Sequence, residues 1–289
     1  MNNPTQIFDR RIVRLHRDRA AAHLDANDFL RREVAVRLLD RLGDIKRGFP
    51  TALDLGCATG TLGRMLKEGE GGIETLVQCD LSQSMAKRAQ GLRAVADEEA
   101  LPFAMGGFDL VLSCLSLHWV NDLPGALVQI RRALKPDGLF LAAMYGGRTC
   151  TELRHALSAA EMELEGGLSP RVSPFAEVRD AGNLLQRAGF ALPVVDCDTL
   201  SVSYPEPMKL MGDLRAMGET NSVIERRKSF TRRETLAAAA AKYVEEFAGP
   251  DGRIPATFEI IFLTAWAPHP SQPKPLAPGS AENRLADFL

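Results

Sequence analysis

The segment TALDLGCATG, residues 51–60, decides the fold class of this 289-residue chain. Its first five residues predict a short buried strand, and a turn of small residues then leads into a predicted helix over 62–67. Small residues in such a turn let a ligand approach the backbone in front of a helix N-terminus. Close packing of the helix on the strand favours the same residues, so the turn alone is a weak indication of a ligand site.

Predicted strands and helices alternate after this turn. The next strands are predicted at 74–79, 92–96, 108–113 and 139–144. The helix between the last two begins at Asp122 or Pro124 and ends in a turn at Lys135–Gly138. This alternation predicts an α/β fold with a parallel sheet and helices on both faces. Further helices are predicted at 151–165, 176–188, 206–217 and 234–247, and further strands at 194–202 and 257–265.

Composition and charge exclude two classes of protein. The chain has 35 Lys and Arg against 37 Asp and Glu, and this net charge of −2 argues against nucleic acid as a partner. The longest apolar runs, such as 139–144 and 260–263, are far shorter than the ~20 residues of a membrane-spanning helix. We therefore expect no membrane span.

The five cysteines bear on the cellular compartment. They are scattered, with no CxxC pair and no zinc-ligand spacing, which favours free thiols over disulfides or metal ligands. The nearest fragment of an iron site, His23 and Asp25, needs a second, distant histidine. We therefore expect no metal site and a cytoplasmic protein.

The N-terminal segment is helical and basic. Residues 8–47 have helical spacing, and five arginines lie between 10 and 19. Such a stretch resembles an organelle targeting leader, but two acidic residues and the absence of serine favour a helix of the folded protein. A solvated basic face is the preferred interpretation; the alternatives are a lid over a ligand pocket and a binding surface for an acidic partner.

Acidic residues follow the next two predicted strands. Asp80 lies 20 residues beyond Gly60, where a carboxylate accepts hydrogen bonds from a ribose hydroxyl pair, although a helix N-cap explains it equally well. Asp97 and Glu98 follow the third strand, where an acid can accept from an adenine amino group. Thr61 replaces the last glycine of GxGxxG, and no P-loop lysine is present. The pattern predicts a nucleoside pocket without a pyrophosphate site.

Five motifs in this order and spacing resemble the S-adenosylmethionine-binding core of class I methyltransferases: LDLGCATG, CDLSQSM, DEEALPF, FDLVLS and LKPDG. The resemblance implies a Rossmann-like fold with a mostly parallel seven-stranded sheet, and S-adenosylmethionine as the cofactor. The cofactor-binding residues that it implies are Asp54, Gly56, Ala58, Gly60, Asp80, Leu81, Asp97, Glu98 and Ser113. The family's middle glycine is Ala58 here, and its methyl group is a reason to expect weaker cofactor binding.

A second resemblance covers nearly the whole chain from Phe8. The stretches SLHWVNDLP (116–124), 166–190, DLRAMGETN (213–221) and SQPKPLAPGSA (271–281) are similar to the mitochondrial complex I assembly factor 5 family and its bacterial relatives. More distantly, the chain resembles malonyl-acyl carrier protein O-methyltransferase of biotin synthesis. The first resemblance implies hydroxylation of an arginine in a respiratory complex I subunit. The fold implies methyl transfer to a carboxylate, a hydroxyl or a protein side chain, and a non-catalytic S-adenosylmethionine-binding assembly protein is a third hypothesis.

These resemblances suggest four segments. They are an N-terminal helical cap (1–49), a cofactor-binding core (50–147), the remainder of the sheet with a helical insertion on the substrate side (148–267) and a proline-rich tail (268–289).

The residues that follow the fourth and fifth core strands are the candidates for chemistry. His118 is a candidate base because histidine titrates near neutral pH, although a packed structural histidine is the more frequent case. Tyr145 is the second catalytic candidate. Trp119 and Arg148 are candidates for contact with a small-molecule or protein substrate; side-chain packing and a solvated loop are their alternative interpretations.

Overall fold

A seven-stranded sheet forms the centre of the fold in the computed structural model, which describes residues 6–67 and 69–273. The strands are β1 (Thr51–Leu55), β2 (Thr75–Asp80), β3 (Leu92–Val95), β4 (Phe108–Cys114), β5 (Leu134–Tyr145), β6 (Ala191–Tyr204) and β7 (Ile254–Trp266). They lie in the order β3-β2-β1-β4-β5-β7-β6. Strands β1 to β5 are parallel to one another, and β7 runs antiparallel between β5 and β6. The predicted mostly parallel, seven-stranded sheet is confirmed.

Helices pack on both faces of this sheet. Those in the described residues are α1 (Arg10–Ala20), α2 (Phe29–Gly43), α3 (Thr61–Met65), α4 (Gln83–Ala86), α5 (Leu123–Ala133), α6 (Thr151–Glu165), α7 (Val178–Arg187), α8 (Pro207–Ala216) and α9 (Arg233–Phe247). On one face, Leu38 of α2 and Tyr243 of α9 join a core that includes Phe258 of β7. On the other face, Ile130 of α5 and Leu185 of α7 are fully buried. None of the helices described is long and apolar enough to cross a membrane.

The parallel strands bring their carboxyl ends to one edge of the sheet. Strands β4 and β5 are buried on both faces, which explains their near-continuous apolar sequences. The turn after β1, the end of β2 and the loop after β4 therefore meet at this edge, where open α/β sheets bind their ligands.

Two local expectations differ from the structure. The helical region 8–47 is divided into α1 and α2 by a 3₁₀ turn at Leu24–Ala26. The predicted turn Lys135–Gly138 lies within the bounds of β5, but as a bulge: Leu134 pairs with Phe108 of β4, and the next pair is Leu139 with Leu110. Asp137 in this bulge has a positive φ, and its N–H donates to the carbonyl of Ala267, which ties the turn to the chain beyond β7.

The predicted proline-rich tail, 268–289, lies outside the described residues from position 274 onward.

Asn121 ties the N-terminal segment to the carboxyl edge of the sheet. Its Oδ1 accepts from the N–H groups of Ile7 (2.8 Å) and Phe8 (2.7 Å), and its Nδ2 donates to the Phe8 carbonyl (3.1 Å). The Phe8 ring also meets Trp119 edge-on, with 5.3 Å between ring centroids. Since α1 begins two residues later, these contacts hold α1 over the carboxyl edge.

The cysteines are free thiols, as expected. Cys57, Cys79, Cys114 and Cys150 are buried, and Cys197 on the edge strand β6 is exposed. Burial raises the pKa of all four buried thiols, and that of Cys114 and Cys150 reaches about 12. The buried thiols are therefore protonated at neutral pH.

Candidate functional site

Three residues with left-handed backbone conformations build the turn after β1. Gly56, Ala58 and Gly60 have φ angles of +73°, +51° and +85°. Glycine has no Cβ to clash at such angles, whereas Ala58 holds a strained conformation. A side chain on Gly56 would in addition collide with Ser116 from the loop after β4. Only glycine fits at position 56.

Asp80 holds this turn against the end of β2. Its Oδ2 accepts from the Ala58 N–H at 3.0 Å, and its Oδ1 accepts from the Ser82 N–H at 2.8 Å. The N-cap of α4 is Ser82, whose hydroxyl accepts from the Met85 N–H. Asp80 is therefore a buried acceptor that organises the turn, and not the helix N-cap that the sequence allowed.

The structure brings Asp80 together with the two acids predicted to follow β3. Arg17 of α1 donates to Glu98 at 2.8 Å and lies 3.4 Å from Asp80, while Arg10 pairs with both Asp97 and Glu98. Burial raises the pKa of Glu98, but the charges of Arg17 and Arg10 outweigh burial and hold that pKa well below its ordinary value. The three acids form one anionic cluster, the acid cluster below, which two guanidinium groups cover.

These ion pairs contradict the preferred interpretation of the basic helix as a solvated face. Arg17 is 8% exposed, and its helix lies over the acid cluster, which agrees with the lid alternative. Arg10 and Arg17 reach the same side because residues seven positions apart lie on one face of a helix. Arg11, Arg14 and Arg19 remain exposed.

Asp54 of β1 is a buried carboxyl group with no hydrogen-bond partner among the described residues. Burial raises its pKa to about 7, while the charge of Arg31 on α2 opposes this rise. An unpartnered carboxyl group directly before a glycine turn suits a cationic ligand group. The unpartnered Asp54 thus fits the methionine ammonium of S-adenosylmethionine, whereas the acid cluster is paired with Arg10 and Arg17 and would hold the adenosine only where those ion pairs open.

Ser113 and Leu81, two other predicted cofactor residues, make packing and hydrogen-bond contacts within the protein. The Ser113 hydroxyl donates to the Leu55 carbonyl at 2.8 Å inside the sheet, so the structure does not bring it to the acid cluster. Ser116 takes that place, donating to Glu98 at 2.5 Å and accepting from Arg17 at 3.0 Å. Leu81 is buried beneath α1, in a small apolar cluster with Phe8, Val13, Trp119 and Val223.

A cavity of about 440 Å³ borders the ends of β4 and β5. We call it the substrate cavity. Its wall is largely apolar, and its aromatic lining residues are Trp119, Tyr145, Phe175 and Phe258. The loop after β4 contributes to both places, since Ser116 contacts the acid cluster and Trp119 lines the cavity. The cofactor turn and the cavity are therefore neighbours across one short loop.

Glu219, from the loop after α8, accepts hydrogen bonds from both His118, the candidate base, and Trp119, a candidate substrate contact. Its Oε2 accepts from His118 Nε2 at 3.1 Å and from Trp119 Nε1 at 2.9 Å. Burial lowers the pKa of His118, which makes the ring neutral at neutral pH. Burial raises the pKa of Glu219, but His118, Arg31 and Arg17 outweigh it and leave the pKa below its ordinary value. The carboxylate is therefore charged.

The other two candidates differ in their placement. Tyr145 lines the cavity, with its ring centroid 4.5 Å from that of His118. Burial raises the pKa of Tyr145 well above its ordinary value, so its hydroxyl stays protonated. Arg148 is exposed, and only its backbone N–H is bonded, to Glu259 at 3.2 Å. The structure does not place the Arg148 side chain in the cavity.

Sequence reasoning missed Arg31 and Glu219, and it gave Arg17 and Ser116 no individual role. Glu219 lies in DLRAMGETN, a stretch that carried a family resemblance but no interpretable chemical spacing. Its partners are about 100 positions away in the chain. The basic stretch 10–19 could have pointed to Arg17, because a buried arginine needs acidic partners. Among the described residues, no group of three or more His, Cys, Asp or Glu is placed to hold a metal ion.

Comparison with known proteins identifies the family. A model described as a methyltransferase domain matches residues 53–142. "Arginine-hydroxylase NDUFAF5, mitochondrial" of Danio rerio is 46% identical over 289 residues, which cover 98% of this chain and 89% of that protein. A malonyl-[acyl-carrier protein] O-methyltransferase of Halorhodospira halophila is 36% identical over 268 residues, covering 90% and 89%.

A solved structure shows the same fold. A putative methyltransferase from Bacillus halodurans superposes with a TM-score of 0.55 at 16% identity, covering 81% of this chain and 99% of that one. These matches confirm the class I methyltransferase fold and, through the methyltransferase domain, S-adenosylmethionine as its cofactor. The expectation of a cytoplasmic protein is wrong, because the Danio rerio relative is named as mitochondrial. The chain contains an S-adenosylmethionine-dependent methyltransferase domain and belongs to the family of the arginine-hydroxylase NDUFAF5 proteins.

Proposed function

We propose that this protein is an S-adenosylmethionine-dependent enzyme that modifies an arginine side chain of a protein, with methyl transfer as the reaction. The observation that carries the proposal is the loop after β4, which contacts the acid cluster through Ser116 and lines the substrate cavity through Trp119. A group bound at the turn after β1 is thereby adjacent to a side chain bound in the cavity, as group transfer requires. The arginine is suggested by the name of the 46% identical relative.

The chain's own residues supply binding, orientation and a proton acceptor. When bound, S-adenosylmethionine supplies an electrophilic methyl group. Asp54 and the turn after β1 orient its methionine end, and the aromatic wall of the cavity packs against the acceptor side chain. A guanidinium loses a proton on methylation; Glu219 is the proposed acceptor because its charged carboxylate lines the cavity, whereas the fully buried His118 does not line the cavity and bonds to Glu219 instead. The Tyr145 hydroxyl stays protonated, so it can orient the substrate by hydrogen bonding but is not a base at neutral pH.

Hydroxylation of the arginine is the second candidate reaction. It is favoured by the identity of 46% to a protein named as an arginine-hydroxylase, against 36% to one named as an O-methyltransferase. The proposed protein substrate in both cases is a subunit of respiratory complex I, as the resemblance to the assembly factor implies.

Mass spectrometry of complex I subunits from cells with and without the gene tests both reactions. Loss of a mass equal to one methylene group from an arginine peptide supports methyl transfer, and loss of one oxygen atom supports hydroxylation. Unchanged arginine peptides would contradict both.

Calorimetry tests the cofactor. We expect heat on titration with S-adenosylmethionine and with S-adenosylhomocysteine, and loss of this heat in Asp80→Asn. Unchanged affinity in that variant would refute the predicted role of Asp80 at the ribose.

A further inference from the structure

Glu219 presents one free carboxylate oxygen to the substrate cavity. The side chain is 9% exposed, and both of its protein hydrogen bonds end on Oε2. The other oxygen, Oε1, accepts from no group in the described part of the chain, and Glu219 is a lining residue of the cavity. Glu219 is partly buried and Oε1 keeps accessible surface, so this oxygen can accept from a ligand that enters the cavity.

The negative charge of Glu219 also lacks a partner of its own. His118, its nearest basic group, is neutral because burial lowers its pKa. Arg31 and Arg17 lie close enough to lower the Glu219 pKa, yet neither has a nitrogen within 4 Å of its carboxylate among the ion pairs described. Arg31 donates to the carbonyls of Cys114 and Leu115, and Arg17 is paired with the acid cluster. Neither guanidinium group therefore donates to Glu219, although the charge of Arg31, which no carboxylate pairs among the described ion pairs, helps to keep Glu219 ionised.

The arginines that line the cavity do not supply the missing charge. Arg171 is held by Glu161 at 2.5 Å and by the Thr231 hydroxyl at 2.6 Å, so its own charge is already paired. Arg215 is exposed and also lines the surface groove between α1 and α8, which places it at the cavity's solvent side. The interior of the cavity is left with one anion.

The wall around this anion suits a flat cation. Trp119, Tyr145 and Phe175 lie together, with ring centroids 5.8 Å apart for Tyr145 and Phe175 and 6.4 Å apart for Trp119 and Phe175. A guanidinium is planar, packs on aromatic faces and donates to carboxylates, whereas an ammonium is a more strongly hydrated point charge.

We propose that Glu219 is the residue that receives the guanidinium of the substrate arginine, through Oε1, and so selects arginine over neutral side chains. His118 and Trp119 are positioning residues for Glu219, because their N–H groups fix its other oxygen. The inference rests on the proposed function for the identity of the substrate side chain.

Binding of two matched probes tests this role. Nα-acetyl-arginine amide carries the guanidinium, and Nα-acetyl-citrulline amide has nearly the same shape without the charge. In ligand-observed NMR titrations we expect the wild-type protein to bind the arginine probe at least about tenfold more tightly, the size of one charge-assisted hydrogen bond. Glu219→Gln, which keeps the shape and removes the charge, should bind the two probes within about twofold of each other.

Two control variants separate charge from packing. Glu152→Gln makes the same change in a carboxyl group that is 7% exposed, bonds to Thr257 and does not line the cavity, and it should keep the tenfold preference. Trp119→Phe removes one donor to Glu219 but keeps the charge, so it should weaken the preference without abolishing it. An unchanged preference in Glu219→Gln, or its loss in Glu152→Gln, would overturn the proposal.

A measurement on the unmodified protein keeps the proposal testable if Glu219→Gln does not fold. The indole N–H resonance of Trp119 should shift on addition of the arginine probe and not of the citrulline probe. This N–H donates to Oε2 of Glu219, the other oxygen of the carboxylate that binds the probe. The Trp266 resonance is the internal control. A Trp119 signal that responds equally to both probes would refute the assignment; cofactor binding and substrate mass changes report on the proposed function independently.

Discussion

Two effects exclude a side chain at Gly56: its left-handed backbone angle and a steric collision. The two can be measured separately. The φ of Gly56 is +73°, and an added Cβ would collide with Ser116. Gly91 has nearly the same φ, +72°, with no atom within 4 Å of an added Cβ. The pair therefore distinguishes left-handed strain from steric collision.

We expect Gly91→Ala to lower the free energy of unfolding by about 1 kcal/mol, the cost of a left-handed alanine. Gly56→Ala should lower it by a further ~2 kcal/mol, because a side chain is forced into an occupied space. Urea unfolding of both variants measures the difference. Adding Ser116→Gly to Gly56→Ala should recover part of the loss; no recovery would show that Ser116 is not the obstacle.

Asp54 makes stability depend on pH. Its pKa of about 7 in the folded state exceeds the ordinary 3.8, so the folded protein holds a proton that the unfolded chain releases. The stability that this proton provides is complete below the unfolded pKa and is lost as the pH rises through 7. Asp54→Asn removes the effect and should be more stable than the wild type at pH 8, by up to about 4 kcal/mol. Urea unfolding at several pH values should show this gap narrowing toward pH 5, and a gap independent of pH would contradict the raised pKa.

The helix α1 acts as a unit in which one face is committed to the acid cluster. Its N-cap is Asp9, whose carboxylate accepts from the Arg11 and Ile12 N–H groups, and Arg17 lies two turns further along. A basic helix with a solvated face and one that covers an acidic cluster have the same sequence pattern. The choice between them depends on Glu98 and Asp80, which are 81 and 63 positions away. Tertiary structure alone decides it.

Arg17→Met is expected to lower the free energy of unfolding by about 3–5 kcal/mol, since it leaves Glu98 buried without its closest cation. Arg14→Met is the matched control, because Arg14 is exposed on the same helix. That control should change stability by less than about 0.5 kcal/mol. Equal effects of the two substitutions in urea unfolding would show that Arg17 contributes only as a helical residue.

Most elements could be predicted because their patterns are local. The helix predicted over 151–165 is α6 itself, and the buried run 108–113 is β4 within one residue. The turn residues Lys135–Gly138 form a bulge near the start of β5, as local preference predicts. The hydrogen bond that ties this bulge to Ala267 could not be predicted, because its two partners are more than 100 positions apart.

At the scale of the whole molecule, one sheet connects the cofactor edge to the C-terminal strands. Strand β5 pairs with β4 on one side and β7 on the other, and β7 continues to β6. The sheet's two halves therefore share a central strand that is buried on both faces.

This continuity predicts a single unfolding transition. The two tryptophans lie in different parts of the molecule, Trp119 beside the substrate cavity and Trp266 at the end of β7. In Trp119→Phe and Trp266→Phe, the remaining tryptophan's fluorescence should have the same urea midpoint as the circular dichroism of that variant. Midpoints that separate in either variant would show that the two halves unfold independently.

The cofactor side of the site was largely predictable and the substrate side was not. Asp80, Asp97 and Glu98 follow successive strands, and parallel topology brings such positions together. The roles of these residues toward the cofactor stay predictions. Glu219 depends on the packing of a loop after α8 against the loop after β4, which no periodicity in the sequence encodes.

The distribution of the cysteines makes the protein suitable for site-selective thiol labelling. Four thiols are buried and protonated, and Cys197 is exposed on the edge strand β6. Cys197 is not a lining residue of the substrate cavity. A maleimide dye should therefore attach at one position of the native protein. Such a label would report on assembly with partner proteins, by energy transfer or anisotropy, without any mutation of the chain.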